Sequence, residues 1–387
     1  MSKQALVTFT PLEPYFFGSE LTHGDGGANY FAKGNRLPQQ TTLCGALRHL
    51  LYENRYKRGP NSFTPGDTTR NDYGDLLGLS PLFLRQMVAD SPRYFLRQAI
   101  DRYQDAVLSR FVLEAGADHN LFLTETTQRL LRHRRNQIQP PLTETLAAKV
   151  QWQEASVWRA ETGKKKQADA WVGQTTDEVV PADDIFLEVT RPGITKNRNG
   201  IPKEGEANFY KQTAYRLATG WSFAVLATFA DEVDFAPLDD YCLPIGGEKT
   251  VFAIGVQSET RTLEQLFPSS LFYPVGHAPG LALVLTADAY IPAAAWPYIA
   301  TGVSATVDFR HIRTNAGVRD YGPLKALLPG DKSGDYPDQL TKSTKYSLLQ
   351  RGSVLICENK EDLTTLTKLL CIDPWRKIGF NHFFTYQ

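Results

Sequence analysis

Arg191–Tyr210 reads RPGITKNRNGIPKEGEANFY. Arg191, Lys196, Arg198 and Lys203 all precede its first acid, Glu204. Gly193 and Gly200 flank the polar tip, and Asn199-Gly200 is a dipeptide that favours turns with positive φ. Upstream, IFLEV (Ile185–Val189) alternates like a strand, and Phe209-Tyr210 restarts regular structure. The chain is therefore expected to leave one strand, extend a basic finger and return along a second. Such a finger suits phosphate contact, because Lys and Arg supply charge and glycine lets backbone approach a polyanion. On charge alone, a solvated hairpin with ordinary surface residues is the alternative.

Towards the N-terminus, Ala5–Thr10 alternates as a strand that Pro11 and Pro14 end, and a glycine-rich loop, HGDGGAN (His23–Asn29), follows. In TTLCGALRHLLYENRY, Leu43, Ala46, Leu47, Leu50 and Leu51 recur at helical spacing, with Thr41 or Thr42 placed to cap. Arg48, Arg55 and Lys57 fall elsewhere on that predicted helix. Strand, glycine loop and amphipathic helix open a ferredoxin-like unit. Phe83-Leu84-Arg85-Gln86 and Phe95-Leu96-Arg97-Gln98 suggest two neighbouring strands of one register. Arg132-His133-Arg134-Arg135 is a short basic cluster, and Lys164-Lys165-Lys166 sits in a Gly-, Gln- and Thr-rich stretch between Trp158 and Trp171.

Beyond the finger, WSFAVLATFA (Trp221–Ala230) reads as a buried strand, followed by an acidic run at 231–240. Ala282–Ile291 and Tyr346–Cys357 are further strands, the latter turning at Arg351-Gly352. Lys360–Leu370 reads as an amphipathic helix capped at Asn359. The expected fold class is α+β, with two ferredoxin-like (RRM-type) domains, 1–215 and 216–387, joined near 211–220 and carrying long loop and β-hairpin insertions.

The 387 residues suit two to three domains, and 42% hydrophobic content with 22% charged content can bury a sizeable core. Lys+Arg and Asp+Glu are both 42, and this neutral total argues against a free-standing nucleic-acid binder. It leaves room for a subunit with one basic and one acidic face. The four cysteines, Cys44, Cys242, Cys357 and Cys371, are scattered, which fits reduced thiols in a cytoplasmic protein better than disulfides or zinc. No run approaches a membrane span.

Catalytic and cofactor motifs are missing. Gly24-Asp25-Gly26-Gly27 lacks the Lys-Thr of a phosphate loop, and Gly246-Gly247 lacks a dinucleotide setting, so no cofactor is expected. The histidines form no ligand pair, and the carboxylates at 231–240 lack calcium-loop order, so no metal is expected. His23 is the one candidate acid–base group, and no second group is tied to it by spacing.

Several stretches together resemble the RAMP proteins of CRISPR effector complexes, above all the family of third subunits of the type III-B Cmr complex. They are FTPLEPYFFG (Phe9–Gly18), TTLCGALRHLL (Thr41–Leu51), the Arg191–Tyr210 element, LPIGGEK (Leu243–Lys249), QRGSVLICE (Gln350–Glu358) and KIGFNHF (Lys377–Phe383). Singly loose, they fall in order along the whole chain. The last is poorer in glycine than the family's usual loop.

The resemblance implies a non-catalytic subunit that caps the 5′ repeat-derived tag of the crRNA. It implies contact with the large Cas-ten-type subunit and the first Cas-seven-type backbone subunit, target RNA being met indirectly. Arg48, Lys164, Lys165, Lys166, Arg191, Lys196 and Arg198 would contact RNA, with Gly45, Gly193, Gly379 and Asn381 allowing close approach. Either 159–184 or 191–203 would serve as a β-hairpin thumb. The alternatives are a crRNA-processing endoribonuclease using His23, and the equivalent type III-A (Csm) subunit.

Overall fold

The computed structural model describes residues 2–18, 31–57, 59, 63, 72–103, 106–107, 121–123, 169–174, 178–194, 209–246, 248–273, 280–309, 312–313, 341–342 and 346–387. Its largest sheet is built around β1 (Ser2–Pro11), the expected first strand. Helix α1 (Gln40–Glu53) follows and buries Leu43, Cys44, Leu47, Leu50 and Leu51. The helix begins earlier than Thr41 or Thr42 would cap it, since Gln39 is its N-cap and makes no side-chain capping bond. Its end is a Schellman-type arrangement: Arg55 N–H donates to the Tyr52 carbonyl and Tyr56 N–H to that of Leu51, at 3.0 and 2.9 Å. Arg55 and Lys57 therefore lie beyond the helix.

Strand β2 (Phe83–Val88) turns back at Ala89-Asp90, both with positive φ, into the strand Ser91–Arg97. The two Phe-Leu-Arg-Gln segments are thus neighbours, but the hairpin is antiparallel and sets Leu84 opposite Phe95. Strands β3 (Trp221–Ala230) and β4 (Thr250–Ser258) both run antiparallel to β1, and β2 pairs with β3. Across the sheet the order is β4-β1-β3-β2. The sheet thus continues past residue 215, and the expected join near 211–220 falls partly inside a strand, Phe209–Leu217.

The second main sheet contains β5 (Leu281–Leu285), β6 (Thr301–Val303), β7 (Val354–Cys357) and β8 (Phe383–Tyr386), in the order β8-β5-β7-β6. The strand expected over Ala282–Ile291 ends at Leu285, and 346–357 divides into two strands around Arg351-Gly352. A 3-10 turn at Ala293–Tyr298 links β5 to β6. Helix α2 (Lys360–Leu370) links β7 to β8, and the Asn359 side chain caps it by accepting from Asp362 N–H at 2.8 Å.

The two sheets meet face to face. Leu6, Phe83, Ala224 and Leu226 of the first pack against Ala282, Val284, Val354 and Ile356 of the second, with Leu266, Phe267 and Phe272 wedged between. α1 covers the outer face of the first sheet and α2 that of the second, giving layers of helix, sheet, sheet and helix.

Polar contacts pin the layers at defined points. Arg351, 3% exposed, pairs with Asp288 at 3.0 Å and donates to the Leu82 carbonyl at 3.4 Å. Burial pushes the Asp288 carboxyl up, but Arg351 more than offsets this and holds it below the usual range. The Gly352 carbonyl accepts from Ile100 N–H at 2.8 Å. Buried Gln40 donates to the carbonyls of Ser80 and Gly379, at 3.2 and 2.9 Å, tying the start of α1 to the C-terminal segment.

Candidate nucleic-acid interface

The element around Arg191 is a hairpin of Phe186–Ile194 and Phe209–Leu217, joined by Phe31–Lys33 running parallel to the second strand. Arg191 to Ile194 thus still belong to a strand, and the tip at 195–208, including Lys196 and Arg198, lies outside the described residues. So do Lys164, Lys165, Lys166 and His23. Where 159–184 is described it adds two short strands, Ala170–Val172 and Val179–Pro181, to the edge of the first sheet.

Side chains alternate across a strand, so the hairpin register sorts its residues onto two faces. Leu187 stands opposite Arg216, Val189 opposite Ala214 and Arg191 opposite Gln212. Arg191, Arg216 and Leu187 are exposed, while Ala214 is covered by Phe16 and Ala32. On the other face Lys33 pairs with Glu188 at 3.1 Å. The hydrogen bond to Glu188 is the main reason the Lys33 ammonium is held above its ordinary range.

Below the hairpin, Arg36 binds Asp183 and reaches Asp169 at 3.4 Å, while Arg97 meets the same Asp169 at 3.2 Å. Burial works against the Arg36 charge, and the two carboxylates reverse that penalty. The Arg36 guanidinium also lies 5.8 Å from the Tyr215 ring, and its carbonyl accepts from Tyr15 O–H at 2.8 Å. This network spends its cations internally and anchors the hairpin to the first sheet.

The remaining expected contacts divide. Gly45 is exposed on α1, with open space where a Cβ would stand, so backbone approach there is sterically free. Arg48 is turned onto the protein: it donates to the Gly59 carbonyl at 2.9 Å and lies 5.6 Å from the Tyr73 ring, which Lys377 approaches at 5.5 Å from its own ammonium. Gly193 is a strand residue opposite Tyr210.

Gly379 and Asn381 correct the expectation. Gly379 is buried at φ +90°, and a Cβ there would strike Gln40 and the Ser80 carbonyl. Asn381 is fully buried; its Oδ1 accepts from Tyr290 N–H at 2.8 Å, and its Nδ2 donates to the carbonyls of Tyr290 and Leu370 at 3.0 and 3.1 Å. Both serve the packing of the C-terminal turn, because an interior amide must satisfy its own polar atoms.

Leu187, Gln212 and Arg216 share the face of Arg191, a grouping that the sequence does not display. The alternation of IFLEV was legible, but which residues of the returning strand share its faces depends on register. Among the described residues no group of three or more His, Cys, Asp or Glu converges as a metal site, and no helix is long and apolar enough to cross a membrane.

Two packed, mainly antiparallel sheets with outer helices make an α+β fold consistent with a RAMP-like protein. The chain matches the family described as CRISPR-associated protein (Cas_Cmr3) over residues 7–387, and it belongs to that family. This is the family of type III-B third subunits that its motifs resemble. Comparison with curated proteins finds no match.

Among solved structures, the chain is similar to one in a cryo-EM structure of the Type III-B Cmr-beta bound to cognate target RNA and AMPPnP. The identity is 14%, the coverage 98% of this chain and 96% of that one, and the TM-score 0.44. A second, of the Type III-B Cmr-beta bound to cognate target RNA, gives 13% identity over the same shares and a TM-score of 0.45. A chain in the crystal structure of a Csm1-Csm4 cassette in complex with AMPPNP gives 10% identity, 92% and 88% coverage, and a TM-score of 0.30.

Proposed function

We propose that the chain is a non-catalytic crRNA-binding subunit of a cytoplasmic type III-B effector. It caps the 5′ repeat-derived tag and bridges the large Cas-ten-type subunit to the Cas-seven-type backbone, meeting target RNA only through the assembly. The observation that carries this reading is the family match over residues 7–387.

The topology supports it. In both sheets the central strands stand in the spatial order fourth, first, third, second, every neighbour antiparallel. That is the order of a ferredoxin-like unit, so we read two such domains, divided between Ser258 and Leu281 rather than at 215/216. In the first, the crossover from β3 to β4 holds the acidic loop 231–240 and the strand Tyr241–Ile245 in place of a second helix. Asp231, Glu232, Asp234, Asp239 and Asp240 are exposed there, anchored by buried Val233 and Leu238. An acidic loop repels RNA and suits solvent or a basic partner.

The test is RNA binding by the reconstituted complex. Replacing Lys164, Lys165, Lys166 and Arg198 by alanine is expected to weaken crRNA binding and flatten its salt dependence; unchanged affinity overturns that assignment. Repeat RNA incubated with the purified chain should stay intact. Specific cleavage that disappears in His23→Ala would make it an endoribonuclease. Co-purification with Csm rather than Cmr subunits would transfer it to type III-A.

A further inference from the structure

Two charged clusters in different parts of the fold belong to one run of contacts. At its outer end, Arg36 goes with the hairpin. It pairs with Asp183, just before Phe186, and its guanidinium lies 5.8 Å from the ring of Tyr215 in the returning strand. Its other arm reaches Asp169 at 3.4 Å, and the second oxygen of that carboxylate meets Arg97 at 3.2 Å. Arg97 ends the strand Ser91–Arg97 and is only 9% exposed. At the inner end, Arg351 pairs with Asp288 at 3.0 Å and donates to the Leu82 carbonyl at 3.4 Å, where the sheets join. Arg97 links the two ends. Burial works against the Asp288 charge, and Arg351 together with Arg97 holds its carboxyl below the usual range. From the hairpin inwards, aspartate and arginine therefore alternate: Asp183, Arg36, Asp169, Arg97, Asp288, Arg351.

The backbone follows the same route. Ala218 N–H, just past the hairpin, donates to the Ile185 carbonyl at 2.9 Å, and Ala182 N–H to that of Asp169 at 2.6 Å. Gln98 N–H donates to the Ala170 carbonyl at 2.9 Å. Ile100 N–H then donates to the Gly352 carbonyl at 2.8 Å, and Gly352 N–H to that of Leu285 in β5 at 2.6 Å. Gly352 has φ +87°, and a Cβ there would strike the Gln98 carbonyl, so these two segments touch without a spacer. Residues 97–100 are thus held by the hairpin base on one side and by the second sheet on the other.

Asp169 is the shared node. One carboxylate divided between two guanidiniums gives each only part of the two-armed pairing that Arg prefers. A shift that carries Arg36 away with the hairpin leaves Asp169 to Arg97 alone. Arg97 is then drawn towards Asp169 and away from Asp288, whose charge is left to Arg351. An interior carboxylate with less compensation loosens its surroundings, because buried charges depend on their partners.

We infer that the hairpin Phe186–Ile194/Phe209–Leu217 and the join between the two sheets form one coupled unit, with Asp169 as the node that carries the coupling. Displacing the hairpin changes how firmly the second sheet is held, and by linkage the reverse follows. The inference concerns the chain itself and does not depend on what the hairpin contacts.

The experiment is amide hydrogen exchange on the full chain, read peptide by peptide by mass spectrometry. Arg36→Met acts at the hairpin end. It is expected to speed exchange at the far end, in 281–285 and 349–357, by about threefold or more while α1 keeps its rates. In Asp169→Asn, which keeps the shape of the node and removes its charge, adding Arg36→Met should change the far end no further. Arg36→Lys, which keeps the charge and gives up the two-armed fork, makes the same comparison if Arg36→Met does not fold.

Three results would overturn the coupling. If exchange rises in the hairpin but not in 281–285 and 349–357, the network is a local anchor. Equal acceleration in α1 is general loosening of the fold. Full additivity of the Arg36 and Asp169 substitutions at the far end means that Asp169 carries nothing between them.

Discussion

At the scale of the residue, several positions are explained by conformations that chemistry alone does not advertise. Arg55 holds the left-handed position that ends α1, with φ 65°, where glycine is the usual occupant. Its guanidinium is exposed, so the backbone penalty is not offset by side-chain burial. Arg55→Gly is therefore expected to stabilise the chain by about 0.5–1 kcal/mol, read as a raised urea midpoint. A lowered midpoint would show that Arg55 contributes a contact worth more than its strain. Gly379 and Asn381 are the converse: residues whose types suit an RNA loop but whose surroundings are protein. A glycine at positive φ and an asparagine serve a buried turn as readily as an exposed one.

At the scale of the element, the C-terminal turn carries a titration with a predictable sign. His382 is half-buried, its Nε2 lies 3.3 Å from the Arg376 carbonyl, and its own carbonyl accepts from Thr286 N–H at 2.9 Å. Burial, aided by the Arg376 charge, pushes its pKa down from 6.5 to about 4. The fold therefore prefers the neutral ring, and the unfolded chain takes up the proton first as pH falls. The His382 contribution is fully present above about pH 6.5 and is lost as pH falls towards 4. Its size is on the order of 3 kcal/mol. Urea unfolding from pH 7 to pH 4.5 should show this slope, and His382→Gln should flatten it. An equal slope in the variant would assign the acid sensitivity elsewhere.

At the scale of the molecule, a buried ion pair sits where the two sheets join. Arg351 and Asp288 both belong to the second half of the chain, yet Arg351 also donates to Leu82 in the first. Removing one partner leaves a buried charge without compensation, which costs about 3–5 kcal/mol. Arg351→Met should thus lose most of that stability in urea unfolding, and Arg351→Met/Asp288→Leu should recover much of it. If the single variant is no less stable than the double, the pair does not set the join.

Much is legible in the sequence alone. β1, α1, the buried strand Trp221–Ala230, the Arg351-Gly352 turn and α2 with its Asn359 cap all follow from periodicity and capping, which act over a few residues. The family resemblance was also readable, because it lies in the order of motifs along the chain. Three things were decided only by tertiary structure. The first sheet reaches Ser258, because β3 and β4 pair with a strand more than 200 residues earlier. Gly379 and Asn381 are interior, because the C-terminal turn docks on Gln40 and Ser80. Finally, Arg216 and Gln212 of the returning strand share a face with Arg191. Pairing register sets that grouping, and register is a long-range choice that one strand's own residues cannot encode.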